Sequence, residues 1–326
     1  MRKLARLAAE SGLLLVLCGA ALRESASPAS GRSAVRLRVR APHLERPLSE
    51  RFPDPFRPAD PVKAAVLARI NEDRARFGQP PVAWDEAASR VADAFCARQI
   101  QEKSRGHFLM DGVPPYGRMG FAGVFGINSE NSVSWVTSGS RFSESTIFLA
   151  LSGQEQMMEE RPPGDGHRQT ILDPEATHVG VGYAIRAGRF QMSQEFQTRR
   201  LDRVTLSAVD PLRAGVTVSG KASAGWRLRF VTIAREETPR PMTREEATAK
   251  TSYSYPRATL AYVPEGHVSM TVVGIATEDR VRVLPGREFV FPFAPDRPGL
   301  YTFQLYVARS DSEQARPGGG ASLWVE

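Results

Sequence analysis

The spacing of apolar residues changes once along this chain, near residue 200, and this change limits the folds that the chain can adopt. Before it, apolar side chains recur at helical intervals, as in Val66, Ile70 and Phe77. After it, short segments rich in Val, Phe and Thr follow one another, bounded by Gly, Pro or charged turns. With 326 residues and a hydrophobic fraction of 41%, the chain can bury two cores. An α+β domain followed by an all-β domain is therefore predicted.

Three helices and one hairpin are predicted in the first part of the chain. Asp60-Pro61 starts the first helix, because Asp caps a helix N-terminus and Pro fits its first turn, and Gly78 ends it. The second helix runs to about Lys103, and the third from about Ser143 to Glu160. The stretch from Ser104 to Ser140 holds nine glycines and prolines, which predicts loops and short helices with little sheet. The hairpin joins strands at His178–Ile185 and Arg189–Gln197 across Arg186-Ala187-Gly188.

From about Arg203, strand-like segments recur about every ten residues, as is typical of an immunoglobulin-like β-sandwich. A segment rich in Pro, Thr and Glu, from Glu237 to Lys250, interrupts the series as an insertion. The predicted strands are Val204–Val209, Gly215–Lys221, Trp226–Arg235, Ala258–Val263, Val268–Ile275, Glu288–Phe293, Tyr301–Ala308 and Ala321–Val325.

The N-terminus has the pattern of a signal peptide over residues 1–22. Basic residues precede the apolar run from Gly12 to Leu22, which is too short to span a bilayer. Cys18 lies in a run that imitates a lipoprotein cleavage box, although Leu17 before it argues against a lipid anchor; an uncleaved membrane anchor is the third alternative. Residues 23–59, rich in Pro, Arg and Ser, are expected to form a linker. The sequence thus predicts a secreted or periplasmic protein with no later membrane segment.

The number of cysteines argues against a disulfide-stabilised protein, and the distribution of charge argues against a nucleic-acid-binding protein. Once the signal peptide is removed, Cys96 is the only cysteine, so no intramolecular disulfide can form. Cys96 follows Phe95 on the apolar side of the second helix, which favours a buried, inert thiol over a catalytic one. The formal net charge of +7 is raised by the leader and the arginines after it. Without a compact basic cluster beyond them, nucleic acid is not an expected partner.

Short motifs follow one another over residues 61–197 in an order that resembles the CAP superfamily, also called the SCP domain. They are Leu67-Ala68-Arg69-Ile70-Asn71, Pro80-Pro81-Val82-Ala83-Trp84-Asp85, Gly106-His107-Phe108, Ser129-Glu130-Asn131, Gly166-His167-Arg168-Gln169-Thr170-Ile171-Leu172, and the closing pair Val179-Gly180-Val181-Gly182-Tyr183-Ala184 and Gln194-Glu195-Phe196. The resemblance is to the bacterial, disulfide-free type of cysteine-rich secretory, antigen and pathogenesis-related proteins. It implies an α-β-α sandwich over residues 60–200, followed by the β-sandwich over residues 203–326.

The resemblance also implies a cleft lined by two histidines and two acids. His107, Glu130 and His167 match three of these positions, and Glu159 or Glu160 takes the fourth, because the residues before His167 depart from the family pattern. Imidazole and carboxylate groups are ligands that zinc accepts, so His107 and His167 are candidate metal ligands. General acid–base chemistry and a polar network without metal are the alternatives. Strand alternation alone does not decide whether Glu195 faces the cleft.

Three functions are compatible with these observations. The leading one is a non-enzymatic extracellular or periplasmic binding protein whose cleft can hold a divalent metal ion and a small apolar molecule or peptide, with an envelope component as a further candidate partner. The second is a metal- or water-dependent hydrolase that acts on an envelope substrate through His107, Glu130 and His167. The third is a structural or interaction module whose working part is the β-rich domain.

Overall fold

A computed structural model describes residues 39–40, 58–210, 215–266, 271–272 and 274–326. The predicted signal peptide, including Cys18, and most of the predicted linker lie outside the described residues. Of that linker, Val39–Arg40 forms strand β1, which pairs with the last strand of the chain. Among the residues that the structure describes, no helix is long and apolar enough to cross a membrane.

Three helices of the first unit begin at a residue whose side chain caps them: Asp60, Asp85 and Ser145. The Asp60 carboxylate accepts hydrogen bonds from the amides of Val62 and Lys63, and Ser145 accepts one from the amide of Phe148. The three predicted helices are thus confirmed, and two short ones are added. The elements are α1 (Pro61–Arg76), β2 (Ala83–Trp84), α2 (Glu86–Glu102), α3 (Pro115–Phe121), β3 (Ile127–Val136), α4 (Thr146–Glu159), α5 (Gly166–Ile171), β4 (His178–Arg186) and β5 (Arg189–Thr198).

These elements include a four-stranded sheet with the order β2-β4-β5-β3. The predicted hairpin of β4 and β5 is confirmed, and its turn residues Ala187 and Gly188 both have positive φ. The expectation of little sheet between Ser104 and Ser140 is wrong, because β3 lies there. Its even-numbered residues from Asn128 to Ser134 are all polar, so the strand lacks the apolar alternation on which sequence prediction depends.

The two faces of this sheet differ in chemistry. One face carries apolar residues that pack beneath α1 and α4, among them Val179, Val181, Phe190, Met192 and Phe196. Helix α2 crosses the other face directly over two glycines of β4. A Cβ atom on Gly180 would lie 2.3 Å from the nitrogen of Ser89, and one on Gly182 would lie 2.2 Å from that of Asp93. Helices therefore cover both faces, which gives the α+β layering that a CAP domain implies.

The second unit is built from one curved sheet. It consists of β1, β6 (Leu201–Asp210), β7 (Gly215–Ala222), β8 (Arg227–Glu236), β9 (Leu260–Pro264), β10 (Thr271–Val272), β11 (Ile275–Leu284), β12 (Glu288–Phe293), β13 (Gly299–Ala308) and β14 (Arg316–Val325). These ten strands have the order β1-β14-β13-β8-β9-β11-β12-β7-β6, with β10 paired to β11. Strand β6 lies beside β14, so the two ends of the sheet approach each other. They enclose one core that includes Val218, Phe291, Phe303, Leu305 and Leu323.

The prediction of an immunoglobulin-like sandwich is therefore not confirmed: the sheet is nearly closed on itself rather than split into two packed layers. Turn spacing predicts where strands begin and end but carries no information about which strands pair. The long strand β11 was not predicted, because the charged run from Glu278 to Arg282 hides its alternation. The predicted strand Val268–Ile275 is described only in part, since residues 267–270 lie outside the described ranges.

A segment of the second unit returns to the first one. We call residues 237–259, between β8 and β9, the strap; it contains the short helix α6 (Arg244–Ala249), which Thr243 and Glu246 cap reciprocally. The amide of Met242 donates to the carbonyl of Met110 at 2.8 Å. Phe108 of the first unit forms an apolar cluster with Met242, Ala247 and Tyr253 of the strap. The predicted insertion is thus part of the contact between the two units.

Candidate functional site

A buried polar cluster lies on the face of the first sheet that α2 covers. His107 Nδ1 lies 2.8 Å from Glu130 Oε1, and Arg118 Nη2 lies 2.5 Å from Glu130 Oε2. Glu195 lies opposite Glu130 in the register of β3 and β5, and the two carboxyl groups are hydrogen-bonded to each other. His107, Glu130 and Glu195 are 9%, 4% and 1% exposed. The cluster is therefore shielded from solvent.

Local structure positions each member of this cluster. The loop after α2 is held by Gln99, whose Nε2 donates to the carbonyl of Gly106 at 2.7 Å. Arg118, on α3, donates to the carbonyl of His107 at 2.9 Å, and its guanidinium group lies 4.0 Å from the ring centroid of Phe95. Asn128 donates to Glu195 Oε2 at 3.0 Å. The cluster is thus built from α2, α3, β3 and β5 together.

Burial sets the protonation states. It lowers the pKa of His107 to about 4, and the Arg118 cation acts in the same direction, whereas Glu195 opposes it. Burial raises the pKa of Glu130, while Arg118 lowers it. Burial and the neighbouring Glu130 carboxylate raise the pKa of Glu195 well above its ordinary value. At neutral pH His107 is therefore neutral, beside two carboxyl groups whose pKa values are both raised, with Arg118 against Glu130.

A second pair forms around the other predicted histidine. His167 Nδ1 lies 2.5 Å from Glu160 Oε1, and the amide of His167 donates to Glu160 Oε2 at 3.0 Å. Asn131 Nδ2 donates to the carbonyl of His167 at 3.1 Å. Glu160 therefore pairs with His167, whereas Glu159 is exposed at the end of α4.

The two histidines pair with different carboxyl groups, His107 with Glu130 and His167 with Glu160. Glu130 and Asn131 are consecutive in β3, so their side chains point to opposite faces of the sheet. The His107 imidazole is bonded to Glu130, whereas Asn131 donates to the backbone carbonyl of His167. Within the part of the chain that the structure describes, no group of three or more His, Cys, Asp and Glu side chains is arranged to hold a metal ion. As arranged, these residues do not fit a zinc ion, and zinc binding stays a prediction.

The strap covers the His107–Glu130 pair. The ring of Tyr253 meets that of His107 edge to face, with the centroids 5.0 Å apart. The amide of Glu130 donates to Tyr253 Oη at 2.5 Å, and the amide of Asn128 to Tyr255 Oη at 2.7 Å. Tyr255 also stacks on Tyr116 of α3 at 4.6 Å.

An open groove lies beside this cover, between the first unit and the strap. Its volume is about 470 Å³. Two of its lining residues are joined by a hydrogen bond, in which Tyr116 donates to Glu236 Oε2 at 2.6 Å. The groove mixes aromatic, apolar and charged groups, and its lining residues are Phe108, Gly112, Pro114, Tyr116, Glu236, Glu237, Thr238, Pro239, Arg240, Met242, Lys250, Ser252, Tyr253, Ser254 and Leu300.

Sequence reasoning missed several members of the site. It left Glu195 undecided, because only the register of β3 against β5 shows that it faces Glu130. Arg118 carried no motif signal, and the tyrosines of the strap belong to the other unit. Cys96 is fully buried, as predicted; its Sγ lies 3.5 Å from the carbonyl of Gly182, and burial raises the pKa of the thiol.

The first unit is confirmed as a CAP-type segment by comparison with protein families. The family model that matches is CAP, the cysteine-rich secretory protein family, and it covers residues 67–196. This range holds His107, Glu130, His167 and Glu195. The β-rich unit lies outside the match.

Individual relatives each match less than half of the chain. The uncharacterized protein YkwD of Bacillus subtilis (strain 168) is 27% identical over 118 residues, which are 36% of this chain and 40% of that protein. The match therefore spans less than half of that relative's length. An extracellular protein of Bacillus anthracis str. Ames containing an SCP domain is 19% identical, with a TM-score of 0.33 over 44% of this chain and 45% of its own. An outer surface protein of Borrelia burgdorferi is 13% identical, with a TM-score of 0.36 over 45% of this chain and 99% of its own.

Proposed function

We propose that this chain is an exported, non-enzymatic binding protein that holds a peptide in the groove between its CAP-type unit and its strap. One observation carries this proposal: the acid–base groups bond to one another beneath the strap, while the groove beside them is open. A ligand in this groove does not reach a free catalytic carboxylate or imidazole. Export is supported by the predicted signal peptide and by the extracellular and outer-surface relatives.

The lining of the groove favours a peptide over a purely apolar molecule. Phe108, Met242 and the aromatic rings offer apolar contacts, whereas Glu237, Arg240 and Lys250 offer charges of both signs. The strap also runs without regular structure on both sides of α6, so its backbone groups there are outside any helix or sheet ladder. A peptide satisfies such groups through its own amides, which a hydrocarbon cannot do.

Selection from a random peptide library on the mature protein tests this proposal. The variant Ser254→Trp, at an exposed position in the groove lining, should block a selected peptide and weaken its binding at least tenfold in titration calorimetry. The matched control Ser312→Trp, at an exposed serine outside the lining, should leave the affinity unchanged. Recovery of an apolar molecule from organic extracts, together with a library that yields no peptide, would support the small apolar ligand instead.

The hydrolase remains a second candidate because one observation favours it. Glu195 and Glu130 form a buried carboxyl pair with raised pKa values next to the neutral His107, and such pairs supply general acids and bases in enzymes. Release of reducing ends or amines from envelope material by the wild type, and its loss in the variant His107→Asn, would establish this activity. The binding proposal expects no release from either protein.

The metal hypothesis has its own test. Metal content and a zinc titration would compare the wild type with a variant that carries both His107→Ala and His167→Ala. Stoichiometric zinc that the substitutions abolish would require the two histidines to approach each other, in contrast to the arrangement described above. Absence of zinc from both proteins would agree with a polar cluster that functions without metal.

A further inference from the structure

Strand β3 is an edge strand, and the strap occupies its free side. In the order β2-β4-β5-β3, β5 is the only one of the described strands that pairs with β3. In an antiparallel pair, alternate residues point their backbone groups away from the partner strand. Asn128 and Glu130 are two such residues, since their amides donate to the tyrosine hydroxyls of the strap. An edge of this kind is a template for an added strand.

The spacing of the two tyrosines matches the spacing of these amides. Tyr253 and Tyr255 are two residues apart, as are the Glu130 and Asn128 amides that they accept from. In an extended segment, the side chains of residues i and i+2 point to the same side, so an extended strap places both tyrosine rings on the side that faces β3. Because Tyr253 meets Glu130 and Tyr255 meets Asn128, the strap runs antiparallel to β3. The tyrosine hydroxyls thus accept the hydrogen bonds that the carbonyl groups of a paired strand accept elsewhere.

The rings of Tyr253 and Tyr255 make the contacts that anchor residues 251–255 of the strap. Tyr253 packs against His107, and Tyr255 stacks on Tyr116, while Thr251, Ser252 and Ser254 are exposed. The tyrosine side chains make all of these contacts, so the contacts do not depend on a covalent link between the tyrosines and the rest of the chain. The same contacts are available to a segment of equal spacing from another polypeptide.

We propose that the edge of β3 is a docking site for an extended peptide with tyrosines at positions i and i+2, and that the strap is its intramolecular occupant. This inference rests on the proposed function and deepens it, because the strap that lines the groove is held on β3 by these two tyrosines. The partner is therefore a Tyr-x-Tyr segment of another protein, recognised by its two hydroxyl groups and two rings.

The test frees the site and supplies the segment in trans. In the full chain, Tyr253→Ala with Tyr255→Ala removes the occupant, and a fluorescent peptide with the sequence of residues 250–257 is the probe. We expect the peptide to bind this variant more tightly than the wild type, in which the strap competes for the same edge, and to shift the amide resonances of Asn128 and Glu130. A probe with phenylalanine in place of both tyrosines keeps the rings but loses two acceptors, and it should bind about tenfold more weakly. The control variant Tyr183→Ala, a substitution outside the strap, should not create binding.

A second variant keeps the proposal testable if the alanine protein fails to fold. Tyr253→Phe with Tyr255→Phe preserves the rings, and it should accelerate hydrogen exchange at the amides of Asn128 and Glu130; added tyrosine probe should restore their protection. Equal binding of the probe to the wild type and to the alanine variant would refute the proposal, as would no binding to a folded alanine variant. Neither result affects the groove proposal, because peptides for the groove are selected on the wild type, in which Tyr253 and Tyr255 are both in place.

Discussion

The burial of His107 makes the stability of this protein depend on pH in a predictable way. His107 has a pKa of about 4 in the fold and 6.5 in an unfolded chain. Between these values the unfolded state binds a proton that the folded state excludes, so stability falls as pH falls through this range. The difference between the two values corresponds to about 3 kcal/mol in the free energy of unfolding.

The variant His107→Asn isolates this effect. The Asn amide can still donate to Glu130, but it does not titrate. The contributions of the carboxyl groups are common to both proteins and largely cancel in the difference. The free energy of unfolding, measured by urea denaturation between pH 7.5 and pH 4, should therefore decline more in the wild type. The free energy of unfolding of the wild type minus that of the variant should therefore decrease by about 3 kcal/mol as the pH falls from 7.5 to 4.

A constant difference between the two proteins from pH 7.5 to pH 4 would refute this reasoning. It would mean that His107 is solvated and keeps its ordinary pKa, or that His107 and its partner Glu130 take up a proton together in the folded state. A direct check is the titration of the His107 ring by NMR. Its resonances should stay those of a neutral, Nδ1-protonated imidazole until the pH approaches about 4.

Three further substitutions test the packing around the site. Glu195→Gln should stabilise the protein increasingly above pH 4.5, measured by urea denaturation, because the folded wild type holds a proton on Glu195 that the unfolded chain releases; equal pH profiles would contradict this. Gly182→Ala should lower the melting temperature, because the added Cβ atom clashes with α2 and this should cost about 1 to 3 kcal/mol of stability. The control Gly215→Ala should leave the melting temperature unchanged, because a Cβ atom there meets no other atom within 4 Å. Arg74→Met should lower the free energy of unfolding by about 3 kcal/mol or more, because buried Arg74 donates to four backbone carbonyl groups. A free energy of unfolding close to that of the wild type would show that water molecules replace the guanidinium group as donors to these carbonyls.

Much of the first unit could be predicted from local sequence. Asp60, Asp85 and Ser145 cap their helices, and the turn at Ala187-Gly188 joins the predicted hairpin. These features depend on residues a few positions apart, so their physical causes are visible in the sequence. The same holds for the ordered motifs that predicted a CAP-type segment over residues 61–197.

The arrangement of the site depended on contacts between distant residues. Sequence placed His107, Glu130 and His167 in one cleft, but the pleat of β3 assigns Glu130 and Asn131 to opposite faces. The partner of Glu130 is Glu195, 65 residues later in the chain, and only the strand register brings the two together. The choice of Glu160 over Glu159 likewise follows from where α4 ends.

The sequence by itself determined where the helices begin, where the strands turn and which motifs succeed one another, because capping and turn geometry are local. Tertiary structure alone decided that the second sheet nearly closes on itself, that Glu195 faces Glu130, and that Tyr253 and Tyr255 cover β3. Pairing and burial are properties of surfaces that meet only after folding, and no spacing along the chain encodes them directly.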